Sequence, residues 1–475
     1  MPKASVRPKL AIAGATGFIG SALRDALQGD YDIIGLTRSP TRASLPDEET
    51  TWRQCDLFSL LQLEEALTGV DVAIYLVHSM LPSARLTQGT FSDLDMILAD
   101  NFARAAESCG VKQIVYLSGL LPEDTSELSA HLQSRYEVEL TLASHNVPVT
   151  TLRAGLVVGP GGSSLKILVN LVRRLPAMVL PKWTNTLTQP IALVDVVRAF
   201  HHVLCNPACF GKTYDIAGPD VMTYRQMMEQ TAEVMDLDRP MVGVPVITPA
   251  LSTLWVSLVS GSSQDLAGPL IDSLRHDLVA QDNPLLDELE PEALSFVESL
   301  RQSITDDNLL LPNPRKTLRS PDDAIIKENR LVRSVQRLEL PAGRSAFWAA
   351  NEYFRWLPTM AGPFIRVHVE DLGGDEEVAT FYVRPYPKPV LVLTYSPDRS
   401  TADRALFYVT DGALLDKSSP HVGRLEFREV LDGQYLIAAI HDFAPRLPWR
   451  FYRSTQAVAH LIVMRQFGRH LQSVG

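Results

Sequence analysis

Residues 10–20 read LAIAGATGFIG, an apolar run that ends in a turn containing Gly14, Gly17 and Gly20. The residues that follow, IGSALRDALQG, have the apolar spacing of an amphipathic helix. Gly14 permits a tight turn, Gly17 leaves space for a pyrophosphate, and Gly20 allows the helix to pack closely on the strand. The free N–H groups and the positive end of the helix then face the anion. The stretch therefore predicts a strand–turn–helix unit that binds a dinucleotide.

Apolar strands and amphipathic helices alternate along the residues after this turn. The predicted strands are nearly continuous apolar runs, which is typical of a buried parallel sheet. They are YDIIGLTR at 31–38, VDVAIYLV at 70–77, VKQIVYLSG at 111–119 and VPVTTLRAGLVVG at 147–159. This alternation predicts an α/β fold with a doubly wound parallel Rossmann sheet that helices cover on both faces.

The end of the second predicted strand selects between the two nicotinamide dinucleotides. An NAD site needs a carboxylate there to bind the 2′-hydroxyl of the ribose. Thr37, Arg38 and Ser39 stand at that point, followed by Arg42, and none of these side chains is acidic. Because a guanidinium pairs well with a 2′-phosphate, the sequence favours NADP over NAD. The alternative is that Arg38 is only a solvated loop residue.

The composition of the chain excludes several classes of protein. Of its 475 residues, 46% are apolar and 21% are charged, as in a globular rather than a disordered or fibrous protein. The formal net charge of −11 repels phosphate backbones, so we expect no nucleic acid partner. Four cysteines in so long a chain make no disulfide framework, and the N-terminus lacks the pattern of a secretory signal. We therefore expect a cytoplasmic protein.

The spacing of cysteines and histidines predicts no metal site. Cys205 and Cys209 have no second pair of ligands at the spacing of a zinc site. His201 and His202 are adjacent on a predicted helix, where neighbouring side chains point apart. Neither pair is therefore expected to bind a metal ion.

The pattern becomes helical and polar from about residue 219 to residue 330. We interpret residues 1–330 as the dinucleotide-binding domain with this segment as its substrate lobe, and we place a domain boundary near residue 330. No charged residue occurs between Arg239 and Asp265, but prolines interrupt the first half of that run. Its continuous part, residues 249–260, is too short to cross a bilayer. We expect a buried or interfacial helix there, which leaves a peripheral membrane contact open.

The last part of the chain, residues 331–475, has a different pattern. A strand and a helical stretch come first, and six runs of alternating apolar and polar residues follow, as in half-buried antiparallel strands. A long helix closes the chain, with Ala457, Leu461, Met464 and Phe467 on one apolar stripe. This order resembles the helix-grip fold of the START/polyketide-cyclase superfamily, which implies a sheet that wraps the helix and binds a small apolar molecule. The aromatic residues that line such a cavity, or belong to an ordinary core, are Trp348, Tyr353, Phe354, Trp356, Tyr382 and Tyr395.

The first domain resembles the extended and atypical short-chain dehydrogenase/reductase superfamily, including its NmrA-like and nucleoside-diphosphate-sugar-epimerase-like members. The blocks that carry the resemblance are GATGFIG at 14–20, CDL at 55–57, DVAIYLVHS at 71–79, IVYLSG at 114–119, LRAGLVVGPG at 152–161, PIALVDVVRA at 190–199 and YDIAGPDVMTYRQM at 214–227. The resemblance implies that Asp56 and Leu57 bind the adenine, that Leu76 and Val77 line the cofactor, and that residues 154–156 pass the nicotinamide. With the residues of the turn, the predicted cofactor-binding set is Gly14, Thr16, Gly17, Phe18, Ile19, Gly20, Thr37, Arg38, Asp56, Leu57, Leu76, Val77, Ser118, Arg135, Ala154 and Leu156.

The predicted catalytic helix departs from the pattern of that superfamily. The family carries Tyr-x-x-Ser-Lys-x-x-x-Glu after the fifth strand, with the tyrosine as general acid/base and the lysine as its assistant. Here the run is HLQSRYEVE: Ser134 and Glu139 keep the register, while His131 stands at the tyrosine and Arg135 at the lysine. An imidazole can donate a proton near neutral pH, whereas a guanidinium can hold ribose hydroxyls but does not exchange protons.

Two functions therefore stay open. In the first, Ser118, His131 and Arg135 form an altered catalytic set in an NADP-dependent oxidoreductase that acts on an apolar carbonyl or quinone-like substrate. In the second, the protein is a non-catalytic NADP(H) sensor or scaffold whose C-terminal domain binds a lipid or another hydrophobic ligand. Tyr136 does not replace the missing tyrosine, because one helical step rotates it about 100° from the face of His131.

Overall fold

The computed structural model describes residues 7–44, 47, 49–78, 86–244, 268, 271–313, 331–373, 376–447, 452 and 455–474. The chain forms two units, the first from Met1–Pro82 with Leu98–Ser320 and the second from Ser83–Ile97 with Pro321–Gly475. The predicted boundary near residue 330 and the predicted helix at 249–260 lie outside the described residues. Within the described part, no helix is both long enough and apolar enough to pass through a bilayer.

A parallel seven-stranded sheet forms the centre of the first unit. Its strands are β1 (Lys9–Ala13), β2 (Asp32–Thr37), β3 (Thr51–Gln54), β4 (Val72–Tyr75), β6 (Gln113–Gly119), β7 (Val149–Ala154) and β12 (Thr213–Ile216). They lie in the order β3-β2-β1-β4-β6-β7-β12, and all neighbours are parallel. The predicted parallel Rossmann-type sheet is therefore confirmed.

Helices cover both faces of this sheet. In chain order, the helices of the first unit are α1 (Phe18–Leu27), α2 (Pro40–Ser44), α3 (Leu60–Leu67), α4 (Phe91–Ser108, from Leu98 onward), α5 (Ala130–Ala143), α6 (Ser163–Arg174), α7 (Leu193–Val203), α8 (Tyr224–Val234), α9 (Pro284–Leu289) and α10 (Phe296–Ser303). Ile12 packs in one core cluster with Leu23 of α1, whereas its neighbour Ala13 packs in another with Phe102 of α4. Because successive strand residues point to opposite faces, the sheet is buried on both sides, which explains its continuous apolar runs.

A smaller lobe follows the sheet within the first unit. Its short strands are β8 (Val157–Val158), β9 (Met178–Leu180), β10 (Leu187–Thr188), β11 (Ile191–Ala192), β13 (Met222–Thr223) and β14 (Met241–Gly243), with 3₁₀ helices at Lys182–Asn185, Pro207–Cys209 and Glu290–Glu292. Capping boxes begin two of its helices, Thr223 with Gln226 at α8 and Ser295 with Glu298 at α10. Leu168, Met227 and Leu300 bring α6, α8 and α10 together in one apolar core.

The second unit contains an eight-stranded sheet. Its strands are β5 (Leu86–Gln88), β15 (Val332–Glu339), β16 (Ile365–Gly373), β17 (Glu376–Val383), β18 (Leu391–Tyr395), β19 (Arg404–Asp411), β20 (Arg424–Val430) and β21 (Tyr435–Phe443). They lie in the order β16-β17-β18-β19-β20-β21-β15-β5, and only the β15–β5 pair among them is parallel. The helices are α11 (Ala346–Ala361) and α12 (Gln456–Val474), with 3₁₀ helices at Gly362–Phe364 and Pro397–Arg399. The predicted order of strand, helix, six strands and long helix is confirmed, and β5 is an addition that the sequence pattern does not indicate.

The two helices of the second unit share one aromatic core with the sheet. Phe354 of α11 lies 5.2 Å from Phe407 and 5.9 Å from Phe381 between ring centroids, both nearly edge to face. On α12, Ala457, Met464 and Phe467 are buried, as the apolar stripe predicts, and Leu461 is half-buried. Of the six aromatic residues considered for a cavity, Tyr353, Phe354 and Trp356 belong to this core, while Trp348, Tyr382 and Tyr395 are half-buried.

A buried polar cluster occupies the opposite face of the same sheet. The Glu426 carboxylate accepts hydrogen bonds from Arg404 at 2.7 Å, Arg428 at 2.9 Å and His441 at 2.9 Å. Burial opposes the charged form of Glu426, but the two guanidiniums outweigh it and hold its pKa well below the usual range. The cluster therefore carries a carboxylate that stays ionised inside the sheet.

Candidate active site

A cavity of about 470 Å³ lies in the first unit and is lined by residues from the carboxyl ends of four parallel strands. β1 and β4 are neighbours there, and their following connections leave towards opposite edges of the sheet. Such a switch point is where open α/β sheets bind their ligands. The cavity brings together eleven of the predicted site residues: Gly14, Gly17, Phe18, Ile19, Gly20, Leu76, Ser118, His131, Arg135, Ala154 and Leu156.

The glycine turn has no room for larger side chains. Gly14 adopts a φ of +91°, which favours glycine, and a Cβ added at Gly20 would lie 2.3 Å from the Gly14 carbonyl oxygen. The first turn of α1 is fully described and holds neither an acidic nor a capping side chain. Its first hydrogen bond runs from the Ser21 N–H to Gly17, so the preceding N–H groups lack helical acceptors. The turn therefore fits a pyrophosphate held by backbone donors and the helix dipole.

The other polar part of the cavity is formed by β6 and α5. Ser118, near the end of β6, is 6% exposed, and its hydroxyl has no hydrogen-bond partner in the described part of the chain. His131 stands in the first turn of α5, where the Ser129 side chain accepts the Leu132 N–H as the N-cap. Arg135 follows one turn later, with its guanidinium 3.4 Å from the Tyr116 hydroxyl. A buried hydroxyl without a partner suits a ligand that supplies the missing hydrogen bond.

His78 is a residue of this cavity that sequence reasoning missed. It follows β4 by three residues, and its ring centroid lies 5.1 Å from that of His131 at an interplanar angle of 53°. The sequence does contain one indication of its role, which is its position. A polar residue just after a central strand of a parallel sheet lies at the carboxyl edge, where ligands bind. The sequence does not show that His78 lies beside His131, because the two residues are far apart in the chain.

The rest of the cavity is apolar and comes mainly from the lobe. Its lining side chains there include Ile167, Leu168, Leu171, Trp183, Tyr224, Met227, Met228, Ile271, Leu274 and Leu278. Burial raises the pKa of Tyr224 to about 12, against a smaller opposing contribution from its hydrogen bond with Thr188, so the phenol stays neutral. Ser273 hydrogen-bonds Ser129 at 2.8 Å, and this contact attaches the lobe segment to the start of α5. Such a lining suits an apolar ligand with few polar groups.

The remaining predicted residues lie outside the cavity lining: Thr16, Thr37, Arg38, Asp56, Leu57 and Val77. Arg38 is exposed just beyond β2, and Arg42 of α2 places its guanidinium 5.1 Å from the centre of the Trp52 ring. The loop after β3 is fixed because the Asp56 N–H donates to Gln62 at 2.9 Å and the Leu57 carbonyl accepts from Asn101 at 3.0 Å. Thr37, Arg38, Asp56 and Leu57 lie at the carboxyl ends of β2 and β3, where the adenosine of a dinucleotide lies in this fold, whereas Thr16 and Val77 follow β1 and β4.

The described residues contain no group of three or more histidine, cysteine, aspartate or glutamate side chains placed to hold a metal ion. Cys209 is buried, and Cys205 is exposed. His201 contacts Asp30 and His202 contacts Glu288, each through a single ring nitrogen. The two histidines thus point to different partners, as expected for adjacent residues of a helix.

Comparison with known proteins agrees with this geometry. Residues 10–217 match the NAD dependent epimerase/dehydratase family. The auxiliary protein GraX of Staphylococcus aureus (strain NCTC 8325 / PS 47) is 32% identical over 179 residues, which are 35% of this chain and 57% of GraX. A ceramide reductase of Caulobacter vibrioides (strain NA1000 / CB15N) is 25% identical over 306 residues, which are 63% of this chain and 94% of the reductase. The crystal structure of the NADPH-dependent quinone oxidoreductase QOR2 of Escherichia coli with NADPH has a TM-score of 0.50 at 24% identity, and covers 61% of this chain and 98% of that structure.

Residues 10–217, which belong to the first unit apart from 83–97, are therefore similar to the NAD dependent epimerase/dehydratase family. The chain spans little more than half the length of GraX, at 57%, but nearly all of the ceramide reductase. The quinone oxidoreductase shares the fold of the matched part of this chain.

Proposed function

We propose that this protein is an NADP-dependent oxidoreductase that reduces an apolar carbonyl or quinone-like compound. The observation that carries the proposal is one cavity lined by the glycine turn, by Ser118, His131 and Arg135, and by the apolar side chains of the lobe. A reductase of this kind needs these three parts together: a pyrophosphate site, a proton donor and an apolar site for the acceptor.

The cofactor is bound by groups of the first unit. The N–H groups at the start of α1 hold the pyrophosphate, and Leu76, Ala154 and Leu156 line the nicotinamide site. Arg38 and Arg42 hold the 2′-phosphate of NADP, because both are cationic and neither has an acidic neighbour in sequence within residues 37–42. NAD is the less favoured cofactor for the same reason.

Three side chains act on the acceptor and the ribose. When bound, NADPH supplies a hydride. His131 donates a proton to the acceptor oxygen, and the Ser118 hydroxyl hydrogen-bonds the same oxygen. Arg135 holds the ribose hydroxyls and adds positive charge beside the reacting oxygen, but it does not exchange protons.

The names of two similar proteins support this choice of reaction. One is described as an NADPH-dependent quinone oxidoreductase and was crystallised with NADPH, and the other is described as a ceramide reductase. Both descriptions combine a reduction with an apolar substrate. We extend that chemical class to this chain, since its cavity has an apolar lining beside its polar residues.

A non-catalytic NADP(H) sensor is the second candidate. It is favoured by one observation: the tyrosine and lysine of the superfamily are His131 and Arg135 here. In this case the second unit, which we propose to have a helix-grip fold, binds a lipid or another hydrophobic ligand. Mass spectrometry of the purified protein for a bound lipid tests that part. A cytoplasmic location and a peripheral membrane contact stay predictions.

Turnover of NADPH with a panel of quinones, aldehydes and ketones tests the proposal. We expect oxidation of NADPH, followed at the nicotinamide absorbance, with at least one apolar acceptor. In His131→Gln, kcat should fall by about 10²-fold or more, as is usual for loss of a general acid, while the Kd for NADPH stays the same.

His201→Gln is the matched control, because His201 is a 62% exposed side chain of the same unit outside the cavity. His201→Gln should change neither kcat nor the Kd for NADPH. Tight NADPH binding without turnover across the whole panel would overturn the oxidoreductase and leave the sensor. Equal turnover in His131→Gln and the wild type would remove His131 from the reaction.

A further inference from the structure

Two histidines from distant parts of the chain share the cavity. His78 follows β4, His131 lies in the first turn of α5, and their ring centroids are 5.1 Å apart. We propose that His78 is a positioning residue that acts through His131, so that the two imidazoles share one proton and deliver it to the acceptor. This inference rests on the proposed function, since it concerns the source of the proton in that reduction.

The position of each ring is set by a different element. β4 lies between β1 and β6 in the sheet, so His78 emerges between the glycine turn and Ser118. His131 is fixed from the other side by the N-cap of α5. His78 Nε2 and His131 Nδ1 are both shielded from solvent. Proton exchange of one ring is therefore expected to involve the other ring more readily than bulk water.

Positive charge near the two rings opposes a second proton on the pair. Among the described residues that line the cavity, the other titratable or charged side chains are Arg135, one turn along α5, and Tyr224, whose phenol is neutral. Tyr116 approaches through its contact with Arg135. Two imidazolium ions at this separation, beside the Arg135 cation, would repel one another. When two titratable side chains interact this strongly, each deprotonation step is a property of the pair and cannot be assigned to one residue.

The reaction balances with a single proton from this pair. For a carbonyl acceptor, the C=O π bond would break, a C–H bond would form with the hydride that the bound cofactor supplies, and an O–H bond would form with the proton of His131. The carbonyl would be reduced and the nicotinamide cofactor oxidised. Both imidazoles are then neutral, and the pair takes up one proton from solvent, which His78 shares with His131. The pair returns to its singly protonated state, ready for the next turnover.

The pH profile of His78→Asn tests this role. Because a neutral His78 stabilises the charged form of His131, its removal should move the alkaline limb of kcat/KM to lower pH and reduce kcat at neutral pH by about tenfold, with the Kd for NADPH unchanged. The double variant His78→Asn/His131→Gln should be no slower than His131→Gln alone, since the two act as a unit. His78→Gln gives the same test if the asparagine variant does not fold.

Histidine titration by NMR provides a readout without turnover. In the wild type, labelled His78 and His131 should titrate in two coupled steps, and His131→Gln should return His78 to a single step with a new midpoint. His201→Gln should leave both signals unchanged. If the wild type turns over and neither the pH limb nor the midpoints change in the variants, the role of His78 is refuted alone. If the wild type binds NADPH but reduces no acceptor, the proposed function fails, and this role of His78 fails with it.

Discussion

The glycine turn and the start of α5 line the same cavity, but they are built in opposite ways. The turn presents backbone N–H groups, and its three glycines lie within seven consecutive residues. The second region presents side chains, with His78 from beyond β4, Ser118 from β6, and His131 and Arg135 from α5. The first region is therefore a local structure, and the second exists only because three separate elements meet.

This difference separates the region expected to bind the cofactor from the region expected to carry out the reaction. A backbone site tolerates few substitutions, because any Cβ must fit against neighbouring main chain. A side-chain site can exchange its functional groups while the backbone stays the same. Here the turn has the glycine spacing of the short-chain dehydrogenase/reductase superfamily that it resembles, whereas His131 and Arg135 stand where that superfamily carries tyrosine and lysine. Variants in the first region should thus affect cofactor affinity, and variants in the second should affect turnover.

The largest effect is expected from Gly20→Val. Its Cβ would stand 2.3 Å from the Gly14 carbonyl oxygen and 2.9 Å from the Ala15 Cα, so the turn must move away from its anion-binding form. Loss of two charge-assisted hydrogen bonds of about 1.5 kcal/mol each would weaken NADPH binding by roughly a hundredfold. Calorimetry measures this loss.

Gly29→Ala is its matched control, because a Cβ at Gly29, just after α1, would meet nothing within 4 Å. The control should bind NADPH like the wild type. If Gly20→Val also retained full affinity, the pyrophosphate would not lie on this turn. The assignment of cofactor binding to the glycine turn would then be wrong.

A smaller effect is expected from Arg38→Ala. Arg38 is exposed, so its contact with a 2′-phosphate is partly screened by water and salt. We expect about tenfold weaker binding of NADPH and no change for NADH, since one solvated charge-assisted hydrogen bond corresponds to roughly that factor. Titration of both cofactors checks the difference. Equal losses for the two would mean that Arg38 does not select NADP.

The smallest effect is expected from Tyr224→Phe. Burial raises the pKa of Tyr224 to about 12, so its phenol is protonated throughout the near-neutral pH range in which imidazoles exchange protons. The alkaline limb of kcat/KM should therefore stay in place in this variant, whereas His78→Asn moves it. The pH profile measures both. A shift in Tyr224→Phe would identify the tyrosine as the titrating acid and would contradict the assignment to the histidines.

Much of the fold could be predicted from the sequence because its signals are local. The apolar runs that become β1, β2, β4, β6 and β7 show the period and length of buried strands, and each is followed by helical spacing. The six alternating runs of the second unit became β16 to β21 for the same reason. β5 was not predicted, because three residues carry no periodic pattern and the strand with which it pairs, β15, begins only at Val332. Glu426 in a buried cluster of cations has no local signal either.

The candidate site divides in the same way. The sequence by itself determined the glycine turn, the presence of His131 and Arg135 four residues apart, and the absence of an acidic residue just after β2. Each of these features lies within a short stretch of chain. Only the tertiary structure decided that the ring centroids of His78 and His131 lie 5.1 Å apart, that the buried Ser118 hydroxyl has no hydrogen-bond partner among the described residues, and that the lobe gives the cavity its apolar lining. The physical reason is that parallel strands bring their carboxyl ends to one edge irrespective of the chain length between them, so neighbours at that edge leave no mark in local sequence.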